Sequence, residues 1–158
     1  MTAPGPPRIA FVESSWHEGI VDRCRVSFAE EMLELGVTPD RVDFYRVAGS
    51  FELPLHAKLL ALTGRYAAVV AAGLVVDGGI YRHDFVAEAV IGGLMRVQLD
   101  VDVPVISAVL TPHHFHEHDQ HMSFFSAHFE VKGREAARAC TRTMTSLAFL
   151  AESAGGLI

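Results

Sequence analysis

The chain has 158 residues, half of them apolar, a formal net charge of −6 and two cysteines. That length suits one domain, residues 1–158, able to bury a core without disulfide staples. The negative balance argues against an unaided nucleic-acid binder, yet leaves room for a local basic pocket that takes a small phosphorylated molecule.

Residues 1–7 read as a short flexible lead, "MTAPGPPRIAFVES" lacks the long apolar stretch of a signal peptide, and no run approaches membrane-span length. A cytoplasmic protein with no membrane partner is expected. "RIAFVES" is short, apolar and rich in strand formers, a first strand ending near Glu13. In "SSWHEGIVDRCRVSFAEEMLELG", Ile20, Cys24, Phe28 and Met32 recur every four residues until Gly36, which predicts a helix with one buried stripe. "RVDFYRVAG" predicts a second strand. "SFELPLHAKLLALTG" predicts a helix with Ser50 near its cap, Pro54 in its first turn and Gly64 at its end.

"YAAVVAAGLVV" is nearly all apolar, as in a strand covered on both faces, and so predicts a parallel sheet between helix layers. "HDFVAEAVIGGLMRVQLD" supplies a third helix and "VPVISAVL" the last strand. "EAARACTRTMTSLAFLAE" predicts a final helix with Ala136, Cys140, Met144 and Leu147 on one side. Cys24 and Cys140 belong to no CxxC pair and read as reduced core thiols. Strict β-α alternation indicates a single doubly wound α/β domain. In such sheets ligands bind beyond the carboxyl ends of the strands, around the switch in strand order. That rule selects four loops: residues 14–17, 49–52, 77–83 and 111–121.

Each loop carries unusual residues. Trp16, the only tryptophan, either plugs the end of the core or offers a flat face for stacking a heterocycle. Ser50, Phe51 and Glu52 stand at a helix start, where backbone N–H groups suit an oxygen-rich ligand and Glu52 can accept from hydroxyls. In "VVDGGIYRHDF", Gly78 and Gly79 allow close backbone approach, and Arg82 and His83 follow at the next helix start. Glycines, helix-terminal amides, a guanidinium and an imidazole together suit a phosphate ester and acid–base chemistry. A plain tight turn is the alternative. "TPHHFHEHDQH" holds five histidines, but no HExxH and no nearby cysteine completes a zinc set, so surface, interface or active-site roles stand ahead of metal binding.

Taken together, "IAFVESSWH", "AGSFELPLHAKLLALTGRYAAVVAAGLVVDGGIYRHDFVAEAVIGGLMRVQLD" and "VPVISAVLTPHHFHEH" resemble the lumazine synthases over almost the whole chain. "DGGIYRHDFV" and "LTPHHFHEH" are most similar to the second type of that enzyme, found in some proteobacteria. The resemblance implies a flavodoxin-like three-layer α/β/α fold with a four-stranded parallel sheet. It further implies a homopentamer, or two pentamers face to face, with active sites between subunits. The implied reaction is the penultimate step of riboflavin biosynthesis. A transferase condenses 5-amino-6-(D-ribitylamino)uracil with 3,4-dihydroxy-2-butanone 4-phosphate, giving 6,7-dimethyl-8-ribityllumazine, phosphate and water, without cofactor or metal.

By position, the resemblance makes Trp16 the residue that stacks on the pyrimidine and Ser50, Phe51 and Glu52 the segment that binds the ribityl chain. Leu74, Val75 and Val76 hold the pyrimidine edge through backbone groups, with Ser107 near the same ring. Gly79 and Ile80 cradle the butanone phosphate. The sequence departs from the family in two places. Where the family has an acid–base histidine this chain has Arg82, with His83 one residue later. An arginine stays charged and shuttles protons poorly, whereas an imidazole titrates close to neutral pH. Arg82 is therefore expected to anchor phosphate and His83 to move protons. Where the family has an arginine early in the last helix, this chain has His121. If His121 is the principal anion partner, affinity for the butanone phosphate weakens as pH rises from 6 to 8. Two rivals differ in kind: a catalytically weak flavin- or lumazine-binding paralogue, and a metal-binding assembly protein built on the histidines.

Overall fold

A computed structural model describes residues 5–76, 82–112 and 119–155, the side chains of residues 119–122 excepted. Its elements are β1 (Arg8–Ser14), α1 (Glu18–Glu34), β2 (Val42–Val47), α2 (Leu53–Leu62), β3 (Tyr66–Leu74), α3 (His83–Val101), β4 (Val105–Leu110) and α4 (Asp119–Gly155). Short 3-10 turns at Pro39–Arg41 and Ser50–Glu52 lead into β2 and α2.

All neighbouring strands run parallel, in the order β2-β1-β3-β4. The central strands explain the near-continuous apolar runs: every residue of β1 after Arg8 is buried, and β3 is buried at eight of nine positions. Successive side chains point to opposite faces, so one strand feeds two cores. Ile9 and Phe11 join Ala68 and Val70 beneath α1 and α4. Ala10 and Val12 join Val69 and Ala71 beneath α2 and α3. The result is the flavodoxin-like three-layer α/β/α arrangement.

The stripe Ile20, Cys24, Phe28 and Met32 on α1 is fully buried, and Phe28 meets Phe11 at 4.9 Å between ring centroids. The last helix differs from expectation. It begins at Asp119, not after the glycine at 133, and runs 37 residues, about 55 Å at 1.5 Å per residue. Gly133 does not end the helix because it lies where α4 crosses α1; a Cβ there would strike the Cys24 carbonyl and the Ser27 hydroxyl. Beyond that crossing Ala136 and Cys140 are buried and Met144 is partly buried, but Leu147 is 42% exposed because α4 outruns the core. Burial pushes both thiols up to about 12. No helix among the described residues is long and apolar enough to cross a membrane.

Candidate active site

The strand order reverses between β1 and β3, and the crevice beyond their carboxyl ends holds a cavity of about 370 Å³. Three predicted stretches meet there. Trp16 comes from the loop after β1, Gly49, Ser50, Phe51 and Glu52 from the turn after β2, and Leu74, Val75 and Val76 from the end of β3. Ala48 and Val86 complete the lining. These two escaped the sequence reading. For Val86 the signal was its position three residues after His83, a spacing that puts both on one helix face.

Trp16 is 58% exposed and Phe51 65%. Neither is a core plug; both offer aromatic surface to a ligand or a neighbour. The loop that carries Trp16 is tightly shaped. His17 adopts φ 53° at the start of α1, while the Ser15 backbone N–H and hydroxyl both donate to the Val47 carbonyl, at 2.9 and 2.8 Å. Gly49 brings two sides of the cavity together. A Cβ on it would lie 3.1 Å from the Glu52 Oε2 and 3.7 Å from the Trp16 ring. The indole edge and the carboxylate thus flank bare backbone.

Ser50 does not cap α2. It opens the 3-10 turn, no side chain caps that turn, and the Ser50 hydroxyl is buried without a hydrogen-bond partner among the described residues. The physical reason is that the extra turn faces the Ser50 side chain toward Gly73 of β3 instead of along the helix. The Val75 amide donates to the Leu110 carbonyl at 2.9 Å. What Val75 can offer a ligand edge is therefore an acceptor.

Behind the Trp16 loop, the Glu13 carboxylate is 3% exposed and takes bonds from Arg46 at 2.9 Å and Arg25 at 3.1 Å. Desolvation by burial raises its pKa, and the Arg46 hydrogen bond opposes that rise. Arg46 also reaches Glu18 and Asp22, tying the start of α1, and with it the Trp16 loop, to β2.

Arg82 and His83 stand at the start of α3 as expected. The exposed Arg82 guanidinium grips Asp84 through two hydrogen bonds, 3.1 and 2.9 Å, and lies 4.4 Å above the Phe85 ring. The Asp84 hydrogen bond raises the Arg82 pKa and holds the Asp84 carboxyl below the usual range. Ser107 is not brought to the cavity. It is exposed on the edge strand β4, where the Val109 amide donates to its hydroxyl at 3.4 Å. Gly79, Ile80 and the histidines at 113–118 lie outside the described residues, as does the side chain of His121, whose backbone belongs to the first turn of α4. No group of three or more metal-binding side chains gathers among the described residues.

Residues 6–148 match the model of the 6,7-dimethyl-8-ribityllumazine synthase family. The chain is 65% identical over 146 residues to 6,7-dimethyl-8-ribityllumazine synthase of Rhodococcus erythropolis, covering 92% of this chain and 94% of that protein. It is 54% identical over 140 residues to 6,7-dimethyl-8-ribityllumazine synthase 2 of Pseudomonas syringae pv. tomato, covering 89% and 82%. Identity to 6,7-dimethyl-8-ribityllumazine synthase 1 of Caulobacter vibrioides is 36%, covering 98% and 99%. The chain belongs to this family.

Proposed function

We propose that this member of the 6,7-dimethyl-8-ribityllumazine synthase family condenses 5-amino-6-(D-ribitylamino)uracil with 3,4-dihydroxy-2-butanone 4-phosphate. The products are 6,7-dimethyl-8-ribityllumazine, phosphate and water, at the penultimate step of riboflavin biosynthesis. The observation that carries the reading is the cavity itself, which joins the exposed Trp16 and Phe51 to Glu52 and the Leu74–Val76 backbone.

In this reading the Trp16 indole stacks on the pyrimidine ring, Glu52 accepts from ribityl hydroxyls, and backbone acceptors at the end of β3 take the ring's N–H edge. The pyrimidine amine attacks the ketone, an imine forms with loss of water, phosphate leaves, and the ribityl-bearing amine closes the ring on the remaining carbonyl with loss of a second water. Holding both reactants in register is the main service, worth up to about 7–11 kcal/mol in favourable cases. His83 moves protons at the amine nitrogen and carbinol oxygen, adding roughly 10²–10⁴-fold. Its support is Val86, which lines the cavity one turn later on the same helix face.

Phosphate falls to Arg82, with the Gly79–Ile80 backbone and His121. The grip of Asp84 on Arg82 supports a preset guanidinium plane, which suits a planar, two-point contact with phosphate oxygens.

The working form is a homopentamer or a face-to-face pair of pentamers in the cytoplasm, with sites between subunits, where a neighbour's Ser107 could also be reached. Two exposed apolar rows support association: Leu55, Leu59 and Leu62 on α2, and Ile91, Met95 and Leu99 on α3. Mixing the two substrates with the protein and following lumazine absorbance tests the activity; no absorbance above the uncatalysed rate would reject it. Particle mass in solution tests the assembly.

A further inference from the structure

Three residues far apart in sequence meet under the floor of the cavity. Ser14 ends β1 and is 1% exposed; Ser50 opens the turn after β2 and is 8% exposed. Both hydroxyls are buried without a hydrogen-bond partner among the described residues. Both point at Gly73 of β3: the position a Cβ would take there is 2.5 Å from the Ser50 Oγ and 3.1 Å from the Ser14 Oγ. Ser50 lines the cavity and Ser14 does not, so the two form a short series running inward from the ligand space.

Buried hydroxyls are normally paired, and leaving them unpaired costs stability. An orphaned pair at a ligand cavity is therefore a feature to be explained by what binds there. A serine hydroxyl both donates and accepts, which matches the same dual chemistry in an alcohol. The one charged side chain lining the cavity among the described residues is Glu52, which repels phosphate and welcomes hydroxyl donors. The bare Cα of Gly73 leaves the Ser50 hydroxyl room to turn between Ser14 and the cavity.

We infer that Ser14 is a positioning residue for polyol recognition: from behind the turn that the family resemblance already assigns to the ribityl chain, its hydroxyl orients the Ser50 hydroxyl toward one hydroxyl of that chain. The inference rests on the reading that this cavity takes the ribityl-bearing pyrimidine. When the ligand hydroxyl arrives, Ser50 donates to it and accepts from Ser14, and a polar chain replaces two unsatisfied groups. A site of this kind discriminates strongly against analogues that lack the hydroxyl, because its own polar groups are then left unpaired.

The test compares the wild type with Ser14→Ala, Ser50→Ala and the double variant. The readouts are KM for 5-amino-6-(D-ribitylamino)uracil, binding of 6,7-dimethyl-8-ribityllumazine by fluorescence titration, and inhibition by 5,6-diaminouracil, which has no polyol chain. Ser14→Ala should raise KM and weaken lumazine binding about tenfold, the loss of one hydrogen bond, with kcat nearly unchanged. Inhibition by 5,6-diaminouracil should be unaltered. The double variant should lose no more than Ser50→Ala alone, since Ser14 acts through Ser50. The melting temperature of the unliganded Ser14→Ala protein should hold or rise, because an unpaired buried hydroxyl has been removed. Unchanged KM and lumazine binding, an equal loss for the diaminouracil, or a lowered melting temperature with additive losses would each overturn the positioning role. A wild type that makes no lumazine defeats the proposed function instead, and the lumazine titration still decides the positioning role; a wild type that does not bind lumazine overturns both.

Discussion

At the amino edge of the sheet, Asp43 accepts from Arg8 at 2.5 Å and from the Tyr66 hydroxyl at 2.7 Å, while Tyr45 and Tyr66 share a 2.5 Å hydrogen bond. Arg65 adds a salt bridge to Asp43 and lies 5.4 Å above the Tyr66 ring. At the carboxyl edge of the same strands, Ser14 and Ser50 are more deeply hidden than Arg8 and Asp43, yet have no such partners among the described residues. Both edges face the α2–α3 layer, yet one pairs its polar groups with one another and the other leaves two hydroxyls unpaired among the described residues. On this face of the sheet the paired polar groups lie where the strands begin and the unpaired hydroxyls where they end, beside the cavity.

The largest expected effect that would sharpen this contrast is at His83. Replacing it with alanine should lower kcat roughly 10²–10⁴-fold and leave the unfolding midpoint in denaturant unchanged. Normal turnover in His83→Ala would remove the proton-shuttle role. Asp43→Ala should act the opposite way. It takes one partner each from Tyr66 and Arg8, which keep Tyr45 and the Asp40 carbonyl, and should lower the urea unfolding midpoint modestly because the cluster is partly exposed, with KM for both substrates unaltered. A shifted KM there would mean the edges are coupled. Trp16→Ala should raise KM for the pyrimidine by roughly 1–3 kcal/mol equivalent, the range for an aromatic under a nucleobase-like ring, with little change in stability because the ring is mostly exposed.

The smallest effects concern pH, and the amino edge sets both limbs. The Tyr66 hydrogen bond, followed by that from Arg8, holds the Asp43 carboxyl below its ordinary 3.8. Asp43 therefore contributes stability that is present above that value and is lost as pH falls through the lower folded value. Burial, then the Tyr45 hydrogen bond, raises Tyr66 above its ordinary 10.0. Its contribution is present below 10 and is lost as pH climbs toward the folded value. Tyr66→Phe should flatten the alkaline limb of a stability-versus-pH curve, and Asp43→Asn the acid limb. If both limbs survive the substitutions, the cluster is not what stabilises this edge.

Much of the fold was legible because its signals are local. The four-residue recurrence of Ile20, Cys24, Phe28 and Met32 belongs to one helix face, and all four are buried. The apolar run of β3 reads as a strand covered on both faces, and it is. The site was legible at the level of loops, since parallel topology fixes which strand ends face a ligand; Trp16, Ser50, Phe51, Glu52 and the Leu74–Val76 segment do converge. The errors came where a residue's role depends on something distant. In sequence the last helix is marked only from "EAARAC" onward; it begins at Asp119 and runs through Gly133, which is a helix-crossing contact. Ser50 looked like a cap and is a buried hydroxyl.

By itself, then, the sequence determined the order of elements and the double burial of the central strands, because periodicity and turn chemistry act over a few residues. Only the tertiary structure decided that Ser14, Ser50 and Gly73 share one point, that Gly49 lets Trp16 and Glu52 flank bare backbone, and that Val86 joins them. Those meetings depend on strand register and on how α2 and α3 lie across the sheet, which pattern along a chain does not encode.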